Sequence, residues 1–457
     1  MSPDLIQPFA PVRPTDEISR ASDFTRYFIN GSKPASDWAI GPEVELFGFN
    51  RDGLSRITPQ QVQTVIDGFS KEITAREIED GFTTEATLDQ KIGGRLTLEP
   101  GGQIEFSGAS HTSLESIERS LRGYLCRLNE VARSNRIIFV AAGFDPLRSA
   151  AEQQWIPKQR YEVMRPYLAR RGSRAWDMMC RTAAIQVNLD YGDLEDLAKK
   201  FALATRLAPV AAAIFANSPF ENGKLSGYKS TRYAAWLETD PDRTGPSPVA
   251  LEDGFSIDRF VDYVASVPMF FIRRNGEYID LAGRSFSAFI SNGDGHRPVL
   301  QDFTDHLSTI FTEARLKPHI EQRSMDCGPI DVVMAAQAFW KGLMYDGGML
   351  DRALRMAPRL SLDDYLELQL EVARHGLDAQ VGSLSVLSLA KSAIEMSRAG
   401  LRATASEETR YLDMIEESVI KERLCPADVL IRNYEGAWRG DIRKAIEYMQ
   451  IADCESK

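Results

Sequence analysis

Residues Arg95–Gly108 read RLTLEPGGQIEFSG. Apolar and polar side chains alternate on both sides of Pro100-Gly101-Gly102, which predicts two short strands joined by a turn or bulge. Glu105 stands between Ile104 and Phe106, a carboxylate on a strand with apolar neighbours. Burying a charge is costly unless it is paired or holds a metal, so the rest of the chain has to supply a partner.

Side chains two apart on a strand share a face. On that rule Glu43 and Glu45 lie together in IGPEVELFGF (Ile40–Phe49), and Gln186, Asn188 and Asp190 lie together in CRTAAIQVNLDYG (Cys180–Gly192). Glu321 and Arg323 do the same in LKPHIEQRSMDCGP. Glu99 and Glu105 share a face only where the Pro-Gly-Gly keeps the register. A single E-x-E strand is most simply the solvent face of a half-buried antiparallel sheet. IQVNLD resists that reading, because its row of amides and acid alternates with a fully aliphatic row. Four glutamates and a row of amides converging from several strands would form a funnel suited to a hard cation such as magnesium, which bridges nucleotide phosphates in transfer reactions.

The chain has 457 residues, 43% hydrophobic and 26% charged, with a net charge of −11. That composition is globular, and the negative charge argues against a general nucleic-acid partner. No stretch is long and apolar enough for a membrane span, and the first residues carry no export leader. Cys126, Cys180, Cys327, Cys425 and Cys454 are scattered without a C-x-x-C pair. They read as reduced thiols of a cytoplasmic protein. There is no G-x-x-x-x-G-K-[ST], no G-x-G-x-x-G after a strand and no H-E-x-x-H, so an ATP user here needs a fold without a P-loop. The five histidines are dispersed, and none is assigned a role.

Along the chain, residues 1–36 read as a Pro-interrupted arm with one short helix, and 37–457 as a single domain. Helical spacing marks Thr112–Asn135 and the segment from Asp193 to Ser218. RIIFVAAGF reads as a further strand, and PMFFIRR with GEYIDLAG as a hairpin. From about Pro329 the pattern is almost purely helical. The fold class is α+β, a set of antiparallel strands wrapped by helices, with 329–457 mainly helical.

Taken together these stretches resemble the glutamate–cysteine ligases of the plant and proteobacterial type. The carriers are IGPEVELFGF, LTLEPGGQIEFSGA, IPKQRYEVMRPYL, WDMMCRTAAIQVNLDY, ANSPFENGKLSGYKSTRYAAW with DPDRTG, VPMFF with EYIDLAG, and HIEQRSMDCGP. They run in order from Ile40 to the GAWRGD near the C-terminus. The resemblance implies a glutamine synthetase-like fold, a curved antiparallel sheet forming a funnel-shaped active site. It implies ATP-dependent coupling of the L-glutamate γ-carboxylate to the amine of L-cysteine through a γ-glutamyl phosphate. Magnesium, or manganese, would be the cofactor, in a monomer or homodimer. An amine acceptor other than cysteine, and a non-catalytic relative that keeps the fold to bind a ligand, are the alternatives. The complete acidic set favours catalysis.

The same resemblance implies roles residue by residue. Glu43, Glu45, Glu99, Glu105, Gln186 and Glu321 would lie at metal, and Arg323 at the transferring phosphate. Lys158, Arg160, Arg165 and Arg232 would meet amino-acid carboxylates, for which guanidinium is well shaped, with Tyr161 and Met164 lining the pocket. Glu105 would then have a magnesium ion as its partner, not another side chain. Two departures stand out. The first strand reads Glu43-Val44-Glu45-Leu46 where plant sequences commonly have E-H-E-K, and Met325-Asp326-Cys327 replaces smaller residues after the E-x-R pair. Cys327 reads as a buried, inert thiol.

Overall fold

The structure, a computed structural model, describes residues 13–452 except 20 and 253. Its centre is a nine-stranded antiparallel sheet. In chain order the strands are β1 (Ile40–Asn50), β2 (Ile73–Glu79), β3 (Phe82–Leu88), β4 (Arg95–Leu98), β5 (Ile104–Ser107), β6 (Ile137–Val140), β7 (Ala184–Leu189), β8 (Ala314–Leu316) and β9 (Ile320–Asp326). The spatial order is β8-β9-β7-β1-β5-β4-β3-β2, with β6 paired to the far half of β1. The α+β expectation holds, and the strands expected to carry polar pairs, β9, β7 and β1, are consecutive in this sheet.

Two-residue periodicity sorts the sheet into two faces. Val44, Leu46, Leu96, Leu98, Ile104, Phe106, Ile185, Val187 and Leu189 are buried on one side. Helices cover them: Phe106 stacks on Tyr124 of helix Leu114–Ser134 with ring centroids 4.3 Å apart. The departures Val44 and Leu46 therefore suit a buried back face, where they line a mainly apolar cavity of about 490 Å³. The other face carries the glutamates and amides.

The described part of the expected arm is docked. Helix Ala21–Ile29 places Phe24 and Phe28 against Phe303, Phe286 and Phe260. The hairpin β2–β3 escapes sequence reading because most residues of ITAREIE are exposed, so no apolar alternation marks it. The hairpin Phe271–Arg274 with Glu277–Asp280 forms as expected. Beyond Pro329 the chain is helical apart from the small hairpin Gln380–Val381 with Leu384–Ser385. Among the described residues no helix is long and apolar enough to cross a membrane.

The thiol reading fails at one position. Cys180, Cys327 and Cys425 are free and buried, but Cys126 is disulfide-bonded; Cys454 lies outside the described residues. A disulfide depends on the distance between two Cα atoms in the folded chain, which spacing in sequence does not reveal. Cys327 matches its expectation: burial pushes the thiol well up, away from reactivity.

Helices Ile330–Met344 and Val386–Thr404 pack through two glycines. A Cβ built on Gly400 overlaps the Gly342 carbonyl oxygen, and one on Gly342 overlaps the backbone of Ser397. Gly400→Ala is expected to destabilise the protein by about 1–3 kcal/mol, the usual range for overpacking, and urea denaturation checks it.

Candidate active site

Register decides which acids meet. Glu45 lies opposite Glu105, and Glu105 opposite Thr97, giving one row across β1, β5 and β4. Glu43 lies opposite Gln186 on one side and Ser107 on the other, and Glu321 opposite Asn188. The turn between β4 and β5 folds back through Gly102, whose φ of +78 favours glycine, and through Gly101, packed on the backbone of Cys180. It brings Glu99 close enough to raise the pKa of both Glu45 and Glu105.

Gln186 is the hub of the floor. Its Nε2 donates to Glu45 Oε1 (3.0 Å) and Glu105 Oε1 (3.1 Å), and its Oε1 accepts from Arg323 Nη1 (2.6 Å). Glu45 Oε2 also accepts from the Ala184 amide (2.8 Å), and Glu105 Oε2 from the Thr97 hydroxyl (2.6 Å). Glu105 thus has two neutral side-chain donors, contrary to expectation, and the Glu43 carboxyl is also within hydrogen-bonding reach of it. Asn188 donates to Glu43 (2.8 Å) while its own Oδ1, buried, has no hydrogen-bond partner among the described residues.

The electrostatics follow. Burial, then Glu99, pushes the Glu45 carboxyl up to about 8, and burial together with Glu43, Glu99 and Glu45 lifts Glu105 well above the carboxylate range. Crowded acids in a low dielectric either bind protons or take up a cation. Among the described residues no group of three or more His, Cys, Asp or Glu side chains is placed to hold a metal ion by itself. Magnesium fits such a floor all the same, because it keeps waters and binds through one or two carboxylates plus substrate phosphates.

Glu321 is placed differently from the other acids. Fully buried, it accepts from Arg315 (2.6 Å), Arg323 (2.9 Å) and Lys317 (2.5 Å). Burial alone would raise its pKa, and these three cations outweigh that, holding it well below the usual range. Both oxygens are engaged, so Glu321 organises cations. Arg315 on the partner strand and Lys317 just past its end escaped the sequence reading although E-x-R alternation on β9 pointed at their face.

The expected carboxylate binders separate. Arg165 is exposed and sandwiched between Trp155 (4.6 Å) and Trp176 (4.9 Å). Lys158 Nζ donates to the Leu98 carbonyl (2.8 Å), which Tyr161 also reaches (3.3 Å), so both brace the β4–β5 turn. Met164 is buried in the core. Arg232, also buried, directs Nη2 to the Arg323 carbonyl (2.7 Å) and Nη1 to the Ser324 carbonyl (3.2 Å). Arg160 is half-buried, and its Nε, like that of Arg232, lacks a hydrogen-bond partner among the described residues.

The sheet thus carries a floor of carboxylates on one side of Gln186 and an arginine on the other. Residues 39–448 match the family model of glutamate-cysteine ligase family 2 (GCS2), and the chain belongs to that family. It is 35% identical over 435 residues to glutamate–cysteine ligase A, chloroplastic, of Oryza sativa subsp. indica, covering 94% of this chain and 88% of the relative. It is 33% identical to the chloroplastic enzyme of Arabidopsis thaliana over 438 residues, 95% of this chain and 83% of that one. The fold also matches the crystal structure of glutamate–cysteine ligase from Francisella tularensis in complex with AMP. There the TM-score is 0.54 at 14% identity, over 90% of this chain and 88% of that one. The cytoplasmic expectation is overturned by the plant relatives, which are chloroplastic. Scattered cysteines do not separate cytosol from plastid.

Two outcomes follow from this geometry. Glu45 is raised on folding, so the stability it contributes is complete below its ordinary value of 4.5 and is lost as pH climbs toward about 8. In chelator, the unfolding free energy measured in urea is expected to fall across that window, and Glu45→Gln to flatten the fall and be the more stable protein at pH 8. Arg165→Gln is expected to leave KM for both amino acids within about twofold, as befits an exposed stacked cation, in steady-state kinetics.

Proposed function

We propose that this chain joins the γ-carboxylate of L-glutamate to the amine of L-cysteine, with cleavage of ATP to ADP and phosphate, giving γ-glutamylcysteine for glutathione biosynthesis. The observation that carries the reading is the convergence of Glu43, Glu45, Glu99 and Glu105 around Gln186, with Arg323 on the opposite side of the same amide. Family membership supports the reaction.

The first step bonds a γ-carboxylate oxygen to the γ-phosphorus of ATP and releases ADP. In the second the cysteine amine attacks the acyl carbon of the γ-glutamyl phosphate and phosphate leaves. Such chemistry asks the protein mainly to position partners and offset charge. Glu43, Glu45, Glu99 and Glu105 would hold magnesium, or manganese, which when bound offsets the negative charge of the phosphates; the unpartnered Asn188 Oδ1 adds a neutral acceptor beside them. Arg323 uses Nη1 for Gln186 and Glu321, and among the described residues no hydrogen bond engages its Nη2 or Nε. Those donors face the transferring phosphoryl group. Burial works against the charge on Arg323, but Glu321 and Glu45 overcome it, so the guanidinium is firmly protonated. Arg160, with an unpartnered Nε, is the anchor for an amino-acid carboxylate.

Phosphate release from MgATP and L-glutamate is expected to depend on L-cysteine, with a product of γ-glutamylcysteine mass. Release that ignores cysteine would redirect the search to other amines, and no turnover with any amine would sink the reading. Glu105→Gln is expected to lower kcat by about 10²–10³, the typical loss of one preorganised charge. Arg160→Ala is expected to raise KM for one amino acid by about tenfold or more while KM for ATP stays put.

A further inference from the structure

Strand β9 ends in Met325-Asp326, and Asp326 is buried beneath it. Its Oδ2 accepts from the Asn217 amide (2.8 Å) and the Ser218 hydroxyl (2.6 Å), and its Oδ1 from the Ser230 hydroxyl (2.8 Å). Gly143 leaves it room, since a Cβ there would overlap the carboxyl group. Both serines sit at the start of helix Thr231–Leu237. Ser230 caps it by accepting from the Tyr233 amide (3.0 Å), and Ser218 Oγ accepts from the Arg232 amide (3.3 Å). From that anchored turn Arg232 reaches back across β9 to the carbonyls of Arg323 and Ser324, with its guanidinium 4.0 Å from Asp326.

Those two carbonyls belong to a β-bulge. Pairing with β7 runs from Ile320 to Gln322, then resumes out of step at Met325. Within the bulge the Ser324 amide donates to Gln322 Oε1 (2.8 Å) and the Arg323 amide to the Glu313 carbonyl (2.8 Å). A bulge is a common device for re-aiming one side chain beside an active site. Here the side chain is Arg323, which ends on Gln186 and Glu321.

We infer that Asp326 is a positioning residue for Arg323: through Ser218, Ser230 and Arg232 it fixes the bulge that aims the Arg323 guanidinium over the acidic floor. The inference rests on the proposed contact of Arg323 with the transferring phosphoryl group. An acid that merely holds loops together would affect stability and leave the turnover of each folded molecule alone. A group acting through Arg323 changes kcat and stops mattering once Arg323 is gone.

The test uses the full chain in two measurements. Asp326→Asn, or Ser218→Ala with Ser230→Ala where the first does not fold, is expected to lower kcat by about 10- to 100-fold, with KM for ATP and glutamate within about twofold. Placed in an Arg323→Ala background, the same change is expected to cost less than about twofold, a non-additivity that marks a shared unit. Hydrogen exchange is expected to quicken about tenfold or more in the peptide spanning 321–326, while peptides carrying Glu43 and Glu105 keep their rates. A loss of kcat as large without Arg323 as with it, a loss of stability at unchanged kcat per folded molecule, or unchanged exchange at 321–326 would each overturn the inference. Full kcat in Arg323→Ala alone would remove the phosphoryl role of Arg323, and exchange would then decide by itself whether Asp326 holds the bulge.

Discussion

Carboxylates that repel one another in a confined, poorly solvated space set the terms for the rest of this molecule. Glu45 and Glu105 are nearly buried on adjacent strands, with Glu43 and Glu99 close by. Neutral donors surround them: the Gln186 amide, the Thr97 hydroxyl and the Ala184 backbone N–H. Each satisfies lone pairs without cancelling charge. Burial and mutual repulsion therefore push Glu45 and Glu105 toward protonation.

The positive counterpart is assembled apart from the acids and joined to them at one residue. Three cations, Arg315, Lys317 and Arg323, converge on Glu321. Arg323 alone continues to Gln186, whose other end meets Glu45 and Glu105. A single carboxamide thus divides the floor into an acidic half and a cationic half. Preorganised opposite charges of this kind favour transfer of a phosphoryl group, because nothing has to reorient as charge moves.

Much of the acidic half was legible from period-two alternation, since Glu43, Glu45 and Gln186 lie on strands whose alternate residues are apolar and buried. The cationic half was less so. Arg165, Lys158 and Arg232 lie in motifs that carry the family resemblance, yet two tryptophans, a turn carbonyl and the bulge carbonyls take them up. A motif preserves cations for bracing a site as readily as for touching a ligand, and residue type does not distinguish the two. Asp326, outside any expectation of function, turned out to bind the serines of the SPF and S-x-R segments together.

What the chain's sequence determined by itself was local: which segments alternate with period two or 3.6, which of their faces are apolar, and which strands carry acid on the face that remains. Those properties depend only on neighbours a few residues away. Tertiary structure decided the rest. Antiparallel register set Glu45 against Glu105 and Glu43 against Gln186. A bulge redirected Arg323, and the folded path of the chain put Cys126 into a disulfide. Each of these rests on distances between residues far apart in the chain, and such distances exist only once the sheet has closed.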